Sequence, residues 1–584
     1  MTSRNLFFKL LKEDLKRRLW TISLFSIFLF LLYPVVGALR LQNRFMGETS
    51  AQQIEVMKVH LGPENRSIIT LIMICAIVCG LSTFFYLHSK KKVDLYHSLP
   101  VKREMLFAAN YINGLLLFLI PFVINILLTL GIGMLNRLVT MEVFSITLQG
   151  LMINSLYYCM IYTVTIIAVM LTGNIWTSFL GTIVFMSYGY ILSMVKEMYY
   201  STYFSTYYSI DGLNEKVAML SPIQCYYHTV NSYQIGNTYL ATLGIHLFIT
   251  IVLIGLAVFI FKKRPSEAAG KSMAFEISKP IIKFLLVIPL SLVSGMILKE
   301  AVSYNHDAWL MFGIVFSMVI IYAIIQVIFN SDIRSAFHHK RQFLVCALIT
   351  FAIVGYFRLD PFSYDEYIPK ESSIKSIGVY YDFMLDDMQY FDYSGTNEVY
   401  IDPVDYHLKQ PIHSDISDVY SLCKQAVKNE ANNSYNVGSN YMVVRYNLKD
   451  GRFMYRSYHF DLEDNTLVKA LYQNKEFKAA HYPIFKMKYS DVDIITVNVG
   501  EAMETSDGLT TSLTLTGDKV HRFLDIYKEE LSNLSYDQYK KDKPVGNFNV
   551  TIGKTNRYNG YYVYPTFTKS IAFLKENGYD YFKN

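Results

Sequence analysis

The sequence predicts an all-α polytopic membrane domain of about nine transmembrane helices, followed by an α+β C-terminal domain. Three observations carry that reading. Of 584 residues, 52% are hydrophobic and 17% charged, and the mean hydropathy is +0.23, too apolar for a soluble chain of this length. Apolar runs long enough to cross a bilayer, about 20 residues for a helix, recur at 19–39, 67–87, 111–135, 150–171, 175–195, 240–261, 281–298 and 308–329, with a shorter ninth at 343–357. The charge then changes sign: up to Phe357 there are 28 Lys and Arg against 16 Asp and Glu, and after it 26 against 32.

The chain opens on RNLFFKLLKEDLKRR. Leu6, Leu10, Leu11 and Leu15 fall toward one side of a helix, and Lys9, Lys12, Lys16 and Arg17 toward the other. Residues 1–18 are therefore expected to form an amphipathic helix on the cytoplasmic leaflet. No small-residue cleavage site follows, so the first run is expected to be retained as a span. With the N-terminus in the cytoplasm, the inside loops hold 20 Lys and Arg and the outside loops 8, a positive-inside bias. Trp20, Trp176 and Trp309 each stand at the end of an expected span, where an indole prefers the interface. The ninth run is short for the hydrocarbon core, with Lys340, Arg341 and Arg358 placed to snorkel at its ends. If it crosses, residues 358–584 are extracellular.

That tail has the pattern of an independently packed domain. YMVVRYNL and FMYRSYHF flank KDG, a strand–turn–strand signal with Asp450 and Gly451 at the turn. Apolar residues at three- and four-residue spacing predict helices over 414–430 and 517–534, and VDIITVNV and NFNVTI read as strands. Cys423 is the tail's one cysteine, so no disulfide forms within it.

The loop between the second and third runs, 88–107, reads HSKKKVDLYHSLPVKREMLF. Lys90, Lys91 and Lys92 mark its side, VDLYHSL offers a short amphipathic turn, and Pro100 suits the first position of the next helix. The longer stretch KKKVDLYHSLPVKREMLFAANYINGLLLFLIP resembles the segment at this place in bacterial ATP-binding-cassette (ABC) permeases of the type 2 exporter class, in the Gram-positive branch linked to antibiotic-peptide and envelope-stress systems. FKKRPSEAAGKSMAF, in the basic loop 262–283, is similar to the loop after the six-helix core of that branch. The resemblance covers residues 1 to about 285 and implies a domain plan. An amphipathic helix at 1–18 precedes a six-helix permease core at 19–285. Three further transmembrane helices follow at 281–357, then the α+β domain at 358–584. It further implies a coupling helix that docks on separate ABC ATPase subunits. Val93, Leu95, Tyr96 and Leu99 would supply its apolar surface, and Asp94 and His97 polar contacts at the rim. Pairing with itself or a similar permease, and export of an amphipathic, peptide or envelope-related substrate, are implied as well.

Several chemistries lack a signature. GKS at 270–272 is not a phosphate-binding loop, because Pro265 stands where the first glycine belongs and a membrane run, not a strand, precedes it; ATP hydrolysis is assigned to a separate chain. His338 and His339 beside Lys340 and Arg341 read as a solvated basic loop. No catalytic constellation, metal set, cofactor or nucleic-acid partner is expected. The spans carry hardly an ionisable residue, which counts against an ion-coupled carrier, and Asn125 and Asn154 are expected to hydrogen-bond between helices. Two other readings stay open: a membrane-anchored sensor whose tail binds an envelope ligand, and a secondary transporter.

Overall fold

The computed structural model describes residues 3–42, 50–98, 100–209, 216–234, 239–336, 338–381, 390–392, 399–413, 416–431, 441–459, 466–487, 492–498, 512–552 and 559–579. They divide into two compact units: Met1–Tyr199 with Asp211–Gly355, and Tyr200–Ile210 with Tyr356–Asn584.

Among the described residues of the first unit, helix α1 (Ser3–Arg17) precedes nine helical stretches long and apolar enough to cross a membrane, which mark a multi-pass membrane protein. The first is α2 (Leu19–Phe30) continued through a π-turn at Leu31–Val35 into α3 (Val36–Gln42). Pro34 lies in that turn; proline lacks an N–H, and the extra residue of a π-turn absorbs the missing ladder bond. The second joins α4 (Ser50–Leu61) to α5 (Arg66–Thr83). After the short α6 (Lys90–His97) come α7 (Arg103–Leu135), α8 (Met141–Leu171) and α9 (Ile175–Tyr203). The short α10 (Pro222–Gln234) precedes α11 (Tyr239–Lys263), α12 (Ser278–Glu300), α13 (His306–Asn330) and α14 (Lys340–Leu359).

The main buried core of this unit draws on residues from Phe25 to Ala269 and on none of α12 to α14. α8 is the most buried span, and aromatic stacking runs along it: Tyr158 lies on Phe118 at 4.1 Å and Tyr157 on Tyr226 at 4.6 Å. α12 and α13 pack as a close pair in which Gly295 and Gly313 face each other, since small residues let membrane helices approach.

Several expectations need correction. The ninth span is longer than its apolar run: α14 takes Lys340, Arg341 and Arg358 into its end turns, and its 20 residues cover about 30 Å at 1.5 Å per residue, a full hydrocarbon core. Pro100 does not begin a helix. Lys102 is the residue before α7, and Pro100 lies in the connection ahead of it. The segments between the expected runs, 40–66 and 196–239, contain helices as well: α4, which continues into the second spanning stretch, and α10, which belongs to none. Asn125 donates to Pro121 O of its own helix at 2.8 Å, whereas Asn154 does bond between helices, accepting from Tyr226 of α10.

The second unit is α+β. Its first sheet has the antiparallel order β1 (Ile374–Tyr381), β4 (Tyr441–Leu448), β5 (Phe453–His459); β2 (Tyr390–Asp392) and β3 (Val399–Ile401) form a separate ribbon. Helices α15 (Pro403–Leu408), α16 (Ile416–Ala431), α17 (Thr466–Gln473) and α18 (Lys475–His481) belong with it. The second sheet has the order β7 (Ser512–Thr516), β6 (Val492–Asn498), β8 (Gly546–Ile552), β9 (Asn559–Val563). It carries α19 (Asp518–Asn533) and α21 (Thr568–Glu576), with α20 (Tyr536–Lys541) between the two sheets' cores. The β4–β5 turn is as the sequence predicts. Gly451 has φ +85°, a conformation that costs glycine nothing, and Asp450 Oδ1 accepts from Arg452 N at 2.9 Å. Lys478 Nζ joins the two halves by donating to the carbonyls of Leu531 at 3.2 Å and Ser532 at 2.8 Å, at the C-terminal end of α19, where a cation is favoured.

Candidate functional site

Hydrogen bonds gather the ends of many spans on one face. Arg18, entering the first span, donates to Thr83 O at the end of the second (2.7 Å). Arg103, opening the third, donates to Lys262 O and Arg264 O at the end of the sixth (both 3.1 Å). Ser272 donates to Phe329 O in the eighth, and Lys283 in the seventh to Gln342 in the ninth (2.6 Å). This alternation is what antiparallel crossings require, and it puts α1, α6 and the basic loop after α11 on the same face.

Arg264 is the centre of that face. It follows α11 directly and is 4% exposed. Its Nη1 donates to Val169 O (3.0 Å), to Met170 O and to Thr172 O (2.7 Å), and its Nη2 to Leu87 O (3.2 Å). The last carbonyls of α8 have no intrahelical partner, and a guanidinium fork suits several acceptors at once. Burial lowers its pKa to about 10, still charged at neutral pH. Beyond it, residues 268–274 lie along 171–174: Gly270 N donates to Gly173 O, Gly173 N to Ser272 O and Ala274 N to Leu171 O, at 2.8, 3.2 and 2.8 Å. A Cβ on Gly173 would sit 2.1 Å from Ala268 O and 2.2 Å from Lys271 O, so the approach admits only glycine. The GKS of residues 270–272 thus spends its Gly270 amide and its Ser272 hydroxyl inside this clamp. His88 Nε2 meets Ser178 Oγ at 3.1 Å; burial, with Arg264 nearby, lowers the His88 pKa to about 4 and keeps its imidazole neutral.

α6 rests on this clamp, packed against the short turn Ser266–Ala268. Its residues divide by facing. Val93, expected on the outward apolar surface, is 2% exposed and part of the main core. Tyr96 is half-buried: its ring stacks on Tyr86 at 4.2 Å and its hydroxyl accepts from Arg17 Nη1 at 3.4 Å. Asp94 and Leu95 point outward, with Leu95 60% exposed. His97 ends the helix, and Leu99 lies outside the described residues. The outward surface is therefore narrower than expected, because a helix of two turns on a platform must bury one side. Lys90, Lys91 and Lys92 are exposed beside it.

α1 is more than a surface helix. Asn113 of α7 donates to Leu11 O (3.1 Å) and to Asp14 Oδ2 (2.9 Å), and Asp14 pairs with Arg18 at 3.0 Å. Behind the clamp lies an apolar cavity among α8, α9, α12 and α13, lined by Leu180, Phe185, Leu285 and Ile325. Thr172, Thr177 and Met273 of the clamp line it as well.

Sequence reasoning missed Arg264, Tyr86 and Gly173. Arg264 looks like the third charge of a KKR run, and nothing local separates a solvated arginine from a buried one. A turn of only three residues between two long apolar runs was the available sign that 172–174 is tightly held. Among the described residues no three or more His, Cys, Asp or Glu side chains converge as a metal site, and all six cysteines are free thiols.

Residues 446–558 match a family model described as a domain of unknown function, DUF6449. The match begins inside β4 and ends between β8 and β9, so it takes part of each sheet of the second unit. No curated protein and no solved structure matches the chain.

Proposed function

We propose that this chain is the membrane-spanning subunit of an ATP-driven exporter of the ABC type. In this reading α6 is the helix through which separate ATPase subunits act, the face carrying α1, α6 and the clamp is cytoplasmic, and the second unit is extracellular. The observation that carries the proposal is the mounting of α6. A short helix presents Asp94 and Leu95 outward while Val93, the Tyr86–Tyr96 stack and the Arg264 clamp join it rigidly to the ends of several spans. A push on such a helix reaches α8 and α9 through Thr172 to Thr177, which also border the apolar cavity. That route supports an amphipathic cargo whose apolar part enters between α8, α9, α12 and α13. The basic loops on the same face agree with the cytoplasmic assignment. Two ATPase subunits and a second permease, a copy or a relative, complete the assembly.

The test is at Leu95. Interface anchors are a few exposed apolar residues that become buried, each costing on the order of 2 kcal/mol on truncation. Leu95→Ala with Asp94→Ala leaves Val93 and Tyr96 in place, so the expected outcome is normal membrane level and thermal stability with weakened co-purification of the ATPase. Retention of the ATPase and of transport by this double variant would sink the docking assignment. Tyr96 is a poor probe, because removing its ring also disturbs Tyr86.

A further inference from the structure

We infer that the crevice between α1, α6 and the adjoining ends of the first, second and fifth spans is a binding site for an anionic glycerophospholipid of the surrounding bilayer. The crevice, of about 660 Å³, has two chemically different ends. At one end Arg17, Arg18 and Lys92 stand against the single carboxylate Asp14, an excess of positive charge. Asp14 is already paired with Arg18 Nη2 at 3.0 Å, yet the other arm, Arg18 Nη1, is buried without a hydrogen-bond partner among the described residues. Tyr86, 6% exposed, lines the same crevice, and its hydroxyl is also without a partner. Two buried donors left unsatisfied are costly, and a phosphodiester supplies the acceptor oxygens they lack.

Away from the charges the wall is apolar, with Trp20, Val78, Leu81 and Ile175, while Phe85 stands beside them, its ring centre 5.4 Å from Lys92 Nζ. Trp20 is 58% and Phe85 46% exposed. Leu81 and Val78 descend the last turns of α5, so this wall continues along membrane-spanning helices rather than into water. A soluble phosphate would satisfy the basic end and leave this wall bare; a lipid satisfies both, headgroup at Arg17 and Lys92 and acyl chain along Val78 and Leu81. An indole at the junction is where interfacial aromatics sit. Lys92 and Tyr96 belong to α6, so a bound headgroup ties α1 to that helix.

The binding is read on the purified full chain in detergent, without any ATPase, so its failure is separable from failure of the transporter reading. Thermal stability is titrated with phosphatidylglycerol, phosphatidylcholine and inorganic phosphate. Phosphatidylglycerol is expected to raise the melting temperature saturably, with little effect of the other two. Arg17→Gln with Lys92→Gln is expected to weaken its apparent affinity on the order of tenfold, while Arg17→Lys with Lys92→Arg retains it and Lys12→Gln, on the exposed side of α1, leaves it unchanged. Leu81→Trp, which fills the apolar wall but keeps every charge, is expected to weaken it as well and decides the matter if the Gln variant does not fold. Equal stabilisation by phosphatidylcholine, equal stabilisation by inorganic phosphate, or unchanged titration in the Gln and Trp variants would overturn the site.

Discussion

His407, in α15, is 2% exposed, and its ring stacks on that of His481, 3% exposed, at 4.6 Å. Burial first, then the neighbouring His481 and Lys486, holds the His407 pKa well below the ordinary 6.5. The sign of the consequence follows. Below pH 6.5 the unfolded chain takes up a proton that the folded chain refuses, so this contribution to stability is complete above pH 6.5 and is lost as pH falls toward the folded value. For one proton the slope is about 1.4 kcal/mol per pH unit. The second unit is expected to unfold at progressively lower denaturant between pH 6.5 and 5, and His407→Phe, which keeps an aromatic ring, to flatten that dependence. A variant that keeps the full slope would assign it to other groups.

At the scale of an element, α6 is too short to hold its own shape, since an isolated helix of eight residues is unstable in water. Its order comes from Val93 in the core, the tyrosine stack and, beneath them, the Arg264 clamp. Arg264→Lys keeps the charge but replaces a two-armed fork by one nitrogen. It is expected to leave a buried carbonyl unpaired, at a cost of about 1–3 kcal/mol. The specific readout is amide hydrogen exchange: protection of residues 90–97 falls in the variant while that of α12 and α13 stays. Unchanged protection of α6 would show that the clamp does not hold it.

For the whole molecule, each crossing carries the chain to the opposite side and every second one returns it, so one position fixes the side of all others once nine helices cross. Lys263 and Lys409 are both exposed, one at the clamp end of α11 and the other in the second unit. With the native cysteines replaced, Lys409→Cys is expected to react with a membrane-impermeant thiol reagent on intact cells, and Lys263→Cys only after lysis. The opposite pattern would reverse the topology, and labelling of both only after lysis would show that α14 does not cross. The second unit takes Tyr356–Asn584 together with Tyr200–Ile210.

The number and order of the apolar helices, the α+β character of the tail and the place of α6 were legible in the amino-acid order, since each depends on composition within a short window. Even there the strands were legible only in part: of the nine among the described residues, β4, β5, β6 and β8 were expected and five were not. IKSIGVYY of β1 is buried at nearly every position, so it lacks the alternation that a half-exposed strand shows. Tertiary structure alone decided which side of α6 faces out. Val93 and Leu95 are both apolar and two positions apart, which on a helix turns them about 200° from each other, so one must point inward; in eight residues no period is long enough to say which. The same holds for Arg264. Its buried fork is defined by carbonyls of Leu87, Val169, Met170 and Thr172, more than ninety residues away along the chain, and only the packing of α8 against α11 brings them within reach.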